Sequence, residues 1–384
     1  MKKLLIITGS RAEYGLLRLF IQKIRKDKSF KTKILVTGSH LSHNHGYTIN
    51  EIKKDNIKIN YKINIDVKND LAENITNSVS IGLKKISRVF LDEKPNLIIL
   101  LGDRYELMAP AFAALLHRIP IGHIHGGEVT NGAYDDAIRH SISKMANIHF
   151  VSNKAYKNRL IQLGEEKKSI HVVGGMGVDA IKNIKYIKKT ELEQKLKIKF
   201  RQNNFMVTFH PVTKSIGKTK YYIKNLLDAL SKLKNTSLIF TCANSDNENK
   251  IINREIIKFT KKNNNSYFFF SLGQKNYYSC LKNVDGLIGN SSSGILEAPT
   301  FKISTVNIGN RQDGRLFASS VINSKYDYNS ILKAIKKSLS EKFKKKLKNS
   351  KNPYGNGGAS TNMIRILRKK NKISVEKKFK DLVT

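Results

Sequence analysis

The stretch HIHGGEVTNGAYDDAIRH, His123 to His140, gathers Glu128, Asp135, Asp136 and three histidines around a glycine pair, in a chain that otherwise favours lysine. Carboxylates collected in one place can act as general acids and bases, because crowding and desolvation bring some of their pKa values into the working range. Asp103, in LGDRYE, joins them because it also follows an apolar run. Each acid has a plainer reading. Asp103-Arg104 suits an ion-paired strand end, and Asp135 with Asp136 suits the first turn of a helix, where acids complement the dipole. Recurring on adjacent strand ends, together they predict a proton-transfer site.

A second set suits an anion. GNSSSGILE places Ser291, Ser292, Ser293 and Gly294 at an expected strand-to-helix turn, where hydroxyls and helix N-terminal amides can hold a phosphate. Glu297, four residues beyond Ser293, falls on the same side one turn later, in reach of ribose hydroxyls. A serine N-cap without a ligand is the plainer alternative. The motif is neither G-x-G-x-x-G nor a Walker loop, which argues against NAD and ATP. Arg11, in GSRAEYG, could reach a diphosphate from the opposite domain, and His210, in TFHPVT, sits between a strand and a proline. His40, His43 and His45, in HLSHNHG, have metal-like spacing. With no cysteine nearby and few acids, substrate contact or a loop role fits better, and no metal is expected.

These residues must be positioned by strands and helices in alternation. LLIIT (4–8), KTKILVTG, NLIILLGD (96–103), IPIGHIHG (119–126) and NIHFVSN (147–153) are apolar runs separated by helical patterns. Runs apolar on both faces indicate a parallel sheet buried on both sides. After a junction around SIHVVGGMG (169–177) the pattern restarts with NNFMVTFH, TSLIFTCAN, SYFFFSLG, VDGLIGN and ISTVNIGN. The expected fold is α/β, two doubly wound Rossmann-like domains facing a cleft. Residues 1–173 with 359–384, which include a returning C-terminal helix, form the first, and 174–358 the nucleotide-binding second. Ligands of such sheets bind at the carboxyl ends of the strands, where the chemistry-bearing residues above all lie.

Composition narrows the class. The 384 residues carry 70 Lys+Arg against 30 Asp+Glu, a formal net charge of +40. A nucleic-acid binder would concentrate that charge beside aromatics or a known module. Here lysines are spread evenly beside isoleucine and asparagine, and only KSLSEKFKKKLKNSK and IRILRKKNK form runs, which read as solvated helix faces. No nucleic-acid partner is expected, although the charge favours diphosphate ligands. Cys242 and Cys280 are far apart and fit a reducing cytoplasm. The N-terminal apolar run is too short for a signal peptide and none is long enough to span a bilayer, so a cytoplasmic protein without a membrane partner is expected.

GSRAEYG, LGDRYE, HIHGGEVTNGAYDDAIRH, TFHPVT, GNSSSGILEAP, VNIGNRQDGR and NPYGNGGAS, in order along nearly the whole chain, resemble the hydrolysing UDP-N-acetylglucosamine 2-epimerases. That family makes N-acetylmannosamine or its 2,4-diacetamido analogue for sialic or legionaminic acid synthesis. The resemblance implies a glycosyltransferase-B-like fold, a nucleotide-sugar substrate, no organic redox cofactor and a homodimer. It also implies elimination of the nucleotide across C1–C2 to a glycal, then hydration from the other face to the manno sugar. Asp103, Glu128 and Asp135 match the acidic positions; His210, Ser292, Ser293 and Glu297 match the nucleotide side, with Arg311 and Arg315 in a further matched loop. Some members read HIEGGE where this chain has HIHGGE, so His125 or Glu128 fills the glutamate role. The non-hydrolysing branch typically begins T-R-P-E, whereas S-R-A-E-Y-G here points to the hydrolysing one. The rivals are that non-hydrolysing branch, a B-type glycosyltransferase, and a polyanion-binding α/β protein.

Overall fold

The computed structural model describes all residues except 70, 131–133, 213–216, 244–247 and 382–384, so part of the His123–His140 motif and Thr213 of TFHPVT lie outside the described residues. Two compact units emerge, Met1–Ala180 with Gly357–Thr384, and Ile181–Asn356.

The first unit carries strands β1 (Lys2–Thr8), β2 (Phe30–Thr37), β3 (Tyr61–Ile63), β4 (Leu97–Leu101), β5 (Ile121–Ile124), β6 (Ile148–Val151) and β7 (Ile170–Val172). They form one parallel sheet in the order β3-β2-β1-β4-β5-β6-β7. The alternation of side chains along β1 builds both layers at once. Leu4 and Ile6 pack with Leu17, Phe20 and Ile21 of the helix Arg11–Ile24 and with Met363 and Leu367 of the helix Ala359–Lys369. Leu5 and Ile7 pack on the other face with Ile86, Phe90 and Ala113, from the helices Ala72–Glu93 and Met108–Leu116. The late helix is fastened by buried Asp179, whose carboxylate accepts the amides of Gly358 at 2.6 Å and Ser360 at 2.8 Å. An anion at a helix start also complements the dipole.

The second unit carries β8 (Asn203–Thr208), β9 (Thr236–Thr241), β10 (Ser266–Phe269), β11 (Gly286–Gly289), β12 (Ser304–Ile308) and β13 (Val321–Ser324), again all parallel, in the order β10-β9-β8-β11-β12-β13. Its main core joins Phe205, Val207 and Phe240 of the sheet to Leu226, Ile256 and Ile335 of the surrounding helices.

The structure departs from the sequence reading at the sheet edges. β3, β7 and β13 were not expected, and the 169–177 stretch read as a junction holds β7, paired to β6. These short strands line an edge, and only Ile170 and Ile322 among their residues are buried, so they lack the continuous apolar run that marks a central strand. Among the described residues no helix is long and apolar enough to cross a membrane.

Candidate active site

In each sheet the strand order reverses once, between β1 and β4 in the first and between β8 and β11 in the second. Such switch points leave a crevice outside the strand ends. In the first unit the two flanking loops are Gly9-Ser10-Arg11 and Gly102-Asp103-Arg104.

Glu13 folds back over the first of these loops. Its carboxylate accepts the Gly9 amide at 2.8 Å and the Ser10 hydroxyl at 3.1 Å, while Ser10 caps the helix by accepting the Glu13 amide at 3.4 Å. Glu106, almost fully buried, takes two bonds of 3.2 Å from the Arg104 guanidinium. Burial, and next the neighbouring charge of Glu106, push the Glu13 carboxyl up to about 7. Arg104 is held protonated chiefly by Glu106, with Glu13 and Asp135 adding to the field.

The predicted acids sit on the next strand ends. Asp103, just past β4, is ion-paired with Arg139, which also donates to Thr130 Oγ1 at 3.1 Å. Glu128, past β5, lies 3.1 Å from His125 Nδ1 and is nearly buried. Asp135 and Asp136 open the helix Tyr134–Met145, which also carries Arg139 and His140. Asp136 accepts the Thr130 amide at 2.7 Å and approaches His140 Nε2 at 3.5 Å. The buried His125 Nε2 and His140 Nδ1 have no hydrogen-bond partner among the described residues. The glycine pair lets this loop close. A Cβ on Gly127, at φ +73°, would sit 2.4 Å from the Tyr156 carbonyl, and one on Gly126 would sit 2.8 Å from Ser143 Oγ.

In the second unit, Gly289 ends β11 at φ +136°, where a Cβ would come within 1.9 Å of the Thr208 carbonyl. This close approach aligns two strand-end residues. Asn290 Oδ1 accepts the His210 amide at 2.7 Å and Asn290 Nδ2 donates to the His210 carbonyl at 2.9 Å. Gln312 donates to the Asn290 carbonyl at 2.8 Å and Arg311 at 3.4 Å. Buried Gln312 Oε1 and Arg315 Nη1 have no hydrogen-bond partner among the described residues. The helix after the serine turn is a single turn, Ser293–Leu296. Ser291 Oγ accepts the Ser293 amide at 3.3 Å, and Ser293 Oγ donates to Glu297 at 2.5 Å, so Ser293 and Glu297 do share one side. Gly294 lies against β12, where a Cβ would meet Thr305 at 2.5 Å.

The remaining residues are accounted for within the first unit. Arg11 pairs with Glu51 at 3.0 Å, both half-exposed. The three histidines of HLSHNHG go separate ways. Buried His40 is held by Thr8 at 3.1 Å and Thr48 at 2.8 Å, His43 stacks on Tyr47, and His45 meets Ser42. Among the described residues no three His, Cys, Asp or Glu side chains are grouped to hold a metal. Sequence reasoning missed Arg139, although a residue four after Asp135 on a helix returns to the same face. It also missed Glu13, Glu106, His123 and Asn290, whose importance comes from burial between strand ends.

This architecture, doubly wound α/β units with polar residues concentrated at their switch points, defines a glycosyltransferase-B-like protein. Among solved structures, a UDP-GlcNAc 2-epimerase from Neisseria meningitidis bound to UDP-GlcNAc superposes with a TM-score of 0.83 at 20% identity, covering 96% of this chain and all of that one. A putative UDP-N-acetylglucosamine 2-epimerase from Listeria monocytogenes gives 0.82 at 17%, covering 96% of each chain. In sequence, a GDP/UDP-N,N'-diacetylbacillosamine 2-epimerase (hydrolyzing) of Campylobacter jejuni is 42% identical over 344 residues, 89% of each chain. Polysialic acid biosynthesis protein P7 of Escherichia coli is 39% identical over 96% of this chain and 94% of its own. A UDP-N,N'-diacetylbacillosamine 2-epimerase (hydrolyzing) of Legionella pneumophila is 34% identical over 96% of each. The family model described as UDP-N-acetylglucosamine 2-epimerase matches residues 22–368. The chain belongs to the UDP-N-acetylglucosamine 2-epimerase family.

Proposed function

We propose that the chain is a hydrolysing 2-epimerase that converts a nucleotide-linked 2-acetamido sugar to the free manno-configured sugar and a nucleoside diphosphate. The observation that carries this reading is the set of acids in the first unit, Asp103 and Glu128 past neighbouring strand ends and Asp135 in the first turn of the helix that follows, interlaced with Arg139, His125 and Arg104. Elimination removes the C2 proton to a carboxylate and breaks the C1–O bond to the diphosphate, leaving a glycal. Hydration then returns a proton to C2 from the opposite face while water adds at C1. Two proton transfers and one developing charge at the anomeric carbon call for more than one carboxylate.

The assignments follow from what each acid touches. Asp136 is occupied by the Thr130 amide and the Arg139–His140 side of its helix, and serves to clasp the loop. Asp135, in the field of Arg104, keeps the catalytic assignment that its match to the family's acidic positions gives it. Glu128 has the His125 imidazole 3.1 Å away, and keeps the acid position that its match to the family gives it. The nucleotide is assigned to the second unit, to His210, Ser291, Ser292, Ser293, Gly294, Glu297, Arg311 and Arg315, with the otherwise unsatisfied Arg315 Nη1 as a natural phosphate donor; Arg11 of the first unit is a further candidate for the diphosphate.

For substrate, the diacetamido sugar is favoured by the names of the Campylobacter and Legionella relatives, and UDP-N-acetylglucosamine by the description of the family model. The proposal extends to a cytoplasmic homodimer serving sialic or legionaminic acid synthesis. A proton NMR time course in D2O, with UDP-N-acetylglucosamine and the UDP- and GDP-linked diacetamido sugars in separate tubes, tests it. Free nucleotide with a manno sugar deuterated at C2 is expected, fastest in the tube holding the true substrate. Interconversion of linked sugars without nucleotide release, or no reaction in any tube, would overturn the hydrolysing assignment.

A further inference from the structure

Two adjacent tyrosines on the helix Gly273–Leu281 converge on one carboxylate. Tyr278 Oη donates to Glu297 Oε1 at 2.8 Å, and Ser293 Oγ donates to Glu297 Oε2 at 2.5 Å. Tyr277 Oη in turn donates to Ser293 Oγ at 2.5 Å, which occupies the serine's acceptor side and directs its single proton at Glu297. Each carboxylate oxygen therefore holds one donor. A carboxylate accepts at about four positions, so one on each oxygen stays open. Two open acceptors on adjacent oxygens match a vicinal diol, which presents two hydroxyls side by side.

Simple satisfaction of buried hydroxyls would explain one tyrosine on one acceptor. It does not explain two tyrosines, one acting through a serine, each serving a different oxygen of the same group. Burial raises the Glu297 pKa, and the Ser293 and Tyr278 bonds oppose that rise. A protonated Glu297 would turn one acceptor into a donor and lose the match to the diol.

We propose that Tyr277 and Tyr278 are positioning residues that hold Glu297 open for bidentate capture of the ribose 2′- and 3′-hydroxyls, making the enzyme selective for ribonucleotide over 2′-deoxyribonucleotide sugars. This rests on the assignment of the nucleotide ribose to Glu297.

The test uses the full chain with a UDP-linked sugar substrate and its 2′-deoxyuridine counterpart, on wild type, Tyr278→Phe, Tyr277→Phe and Glu297→Gln. Wild type is expected to prefer the ribo substrate through KM. Tyr278→Phe should raise KM for the ribo substrate about tenfold, the scale of a bond to a charged group, change kcat less than about threefold, and leave KM for the 2′-deoxy substrate nearly unmoved. Tyr277→Phe should do the same more weakly. In Tyr278→Phe the ribo KM should also fall again as pH rises and Glu297 is driven to ionise, a response a packing defect lacks. Equal losses on both substrates, or a fall in kcat at constant KM, would overturn the proposal while leaving the ribose assignment intact. A Glu297→Gln enzyme that keeps full ribo preference would overturn the ribose assignment and the proposal with it.

Discussion

His123 Nε2 lies 2.8 Å from the carbonyl oxygen of Gly102, and its Nδ1 lies 3.0 Å from Ser143 Oγ. A carbonyl only accepts, so Nε2 carries the proton and Nδ1 accepts the serine hydroxyl. Burial drives the imidazole down to about 3, so this neutral tautomer persists through the working range. The ring thus ties three elements together: the end of β4 just before Asp103, the strand that leads to Glu128, and the helix whose first turn holds Asp135.

Breaking that tie should loosen the acids without touching the nucleotide residues. His123→Phe keeps ring volume but removes both bonds, and is expected to lower kcat about a hundredfold, the cost of misplacing reacting groups by an ångström. UDP affinity by calorimetry should stay within about twofold. Because the ring is already neutral, wild-type pH–rate profiles should show no inflection from it between pH 5 and 9. A variant with full kcat would show that the acids hold their geometry unaided.

Asp135 and Asp136 should separate cleanly. Asp136 bonds to the loop it closes, so Asp136→Asn, which keeps an acceptor for the Thr130 amide, is expected to cost about 1 kcal/mol of stability and roughly tenfold in turnover. Asp135→Asn removes a proton-transfer group and should lower kcat at least about a thousandfold with unchanged melting temperature. Single-turnover kinetics beside thermal melts distinguishes them, and the reverse ranking would move the acid role to Asp136.

How far these roles could be read from the chain varies by element. The central strands were legible because Leu4–Ile7 and Leu97–Leu101 are apolar without interruption, and the carboxyl end of the second leads directly to Asp103. The edge strands β3, β7 and β13 were not, since they are only three or four residues long and all but Ile170 and Ile322 are partly or fully exposed. Among site residues, a carboxylate announces its chemistry by type. His123 and Asn290 do not, and Glu13, although an acid, lies within the pattern of the helix Arg11–Ile24; the roles of all three depend on which strand ends the fold brings side by side. The histidine spacing in HLSHNHG looked like a ligand set, yet two 3-10 turns send the rings in different directions.

Two glycines mark where backbone approach is the limiting factor. Gly127→Ala would drive a Cβ to 2.4 Å from the Tyr156 carbonyl and Gly289→Ala to 1.9 Å from that of Thr208, both in the left-handed region. Each should destabilise its own unit by about 2–4 kcal/mol. Gly289→Ala should weaken UDP binding, and Gly127→Ala should spare it while lowering kcat. Intact UDP affinity in Gly289→Ala would remove the β8–β11 strand ends from nucleotide binding.

Glu13 gives the protein a pH dependence of stability that can be isolated. Its carboxyl titrates at about 7 when folded, against an ordinary value of 4.5, because it is buried beside Glu106. The folded state therefore binds this proton more tightly than the unfolded chain, and stability falls as pH rises through the window between these values. The contribution is complete below about 4.5 and lost above about 7, amounting to about 3 kcal/mol at most. Glu13→Gln retains a carbonyl to accept the Gly9 amide but cannot ionise. It should match wild type near pH 5 and melt several degrees higher near pH 8.5, on the scale of about 2–4 °C per kcal/mol. Differential scanning calorimetry of both proteins at the two pH values decides it. A melting difference that is the same at both would mean that Glu13 is already ionised at neutral pH, with Arg104 neutralising the pair.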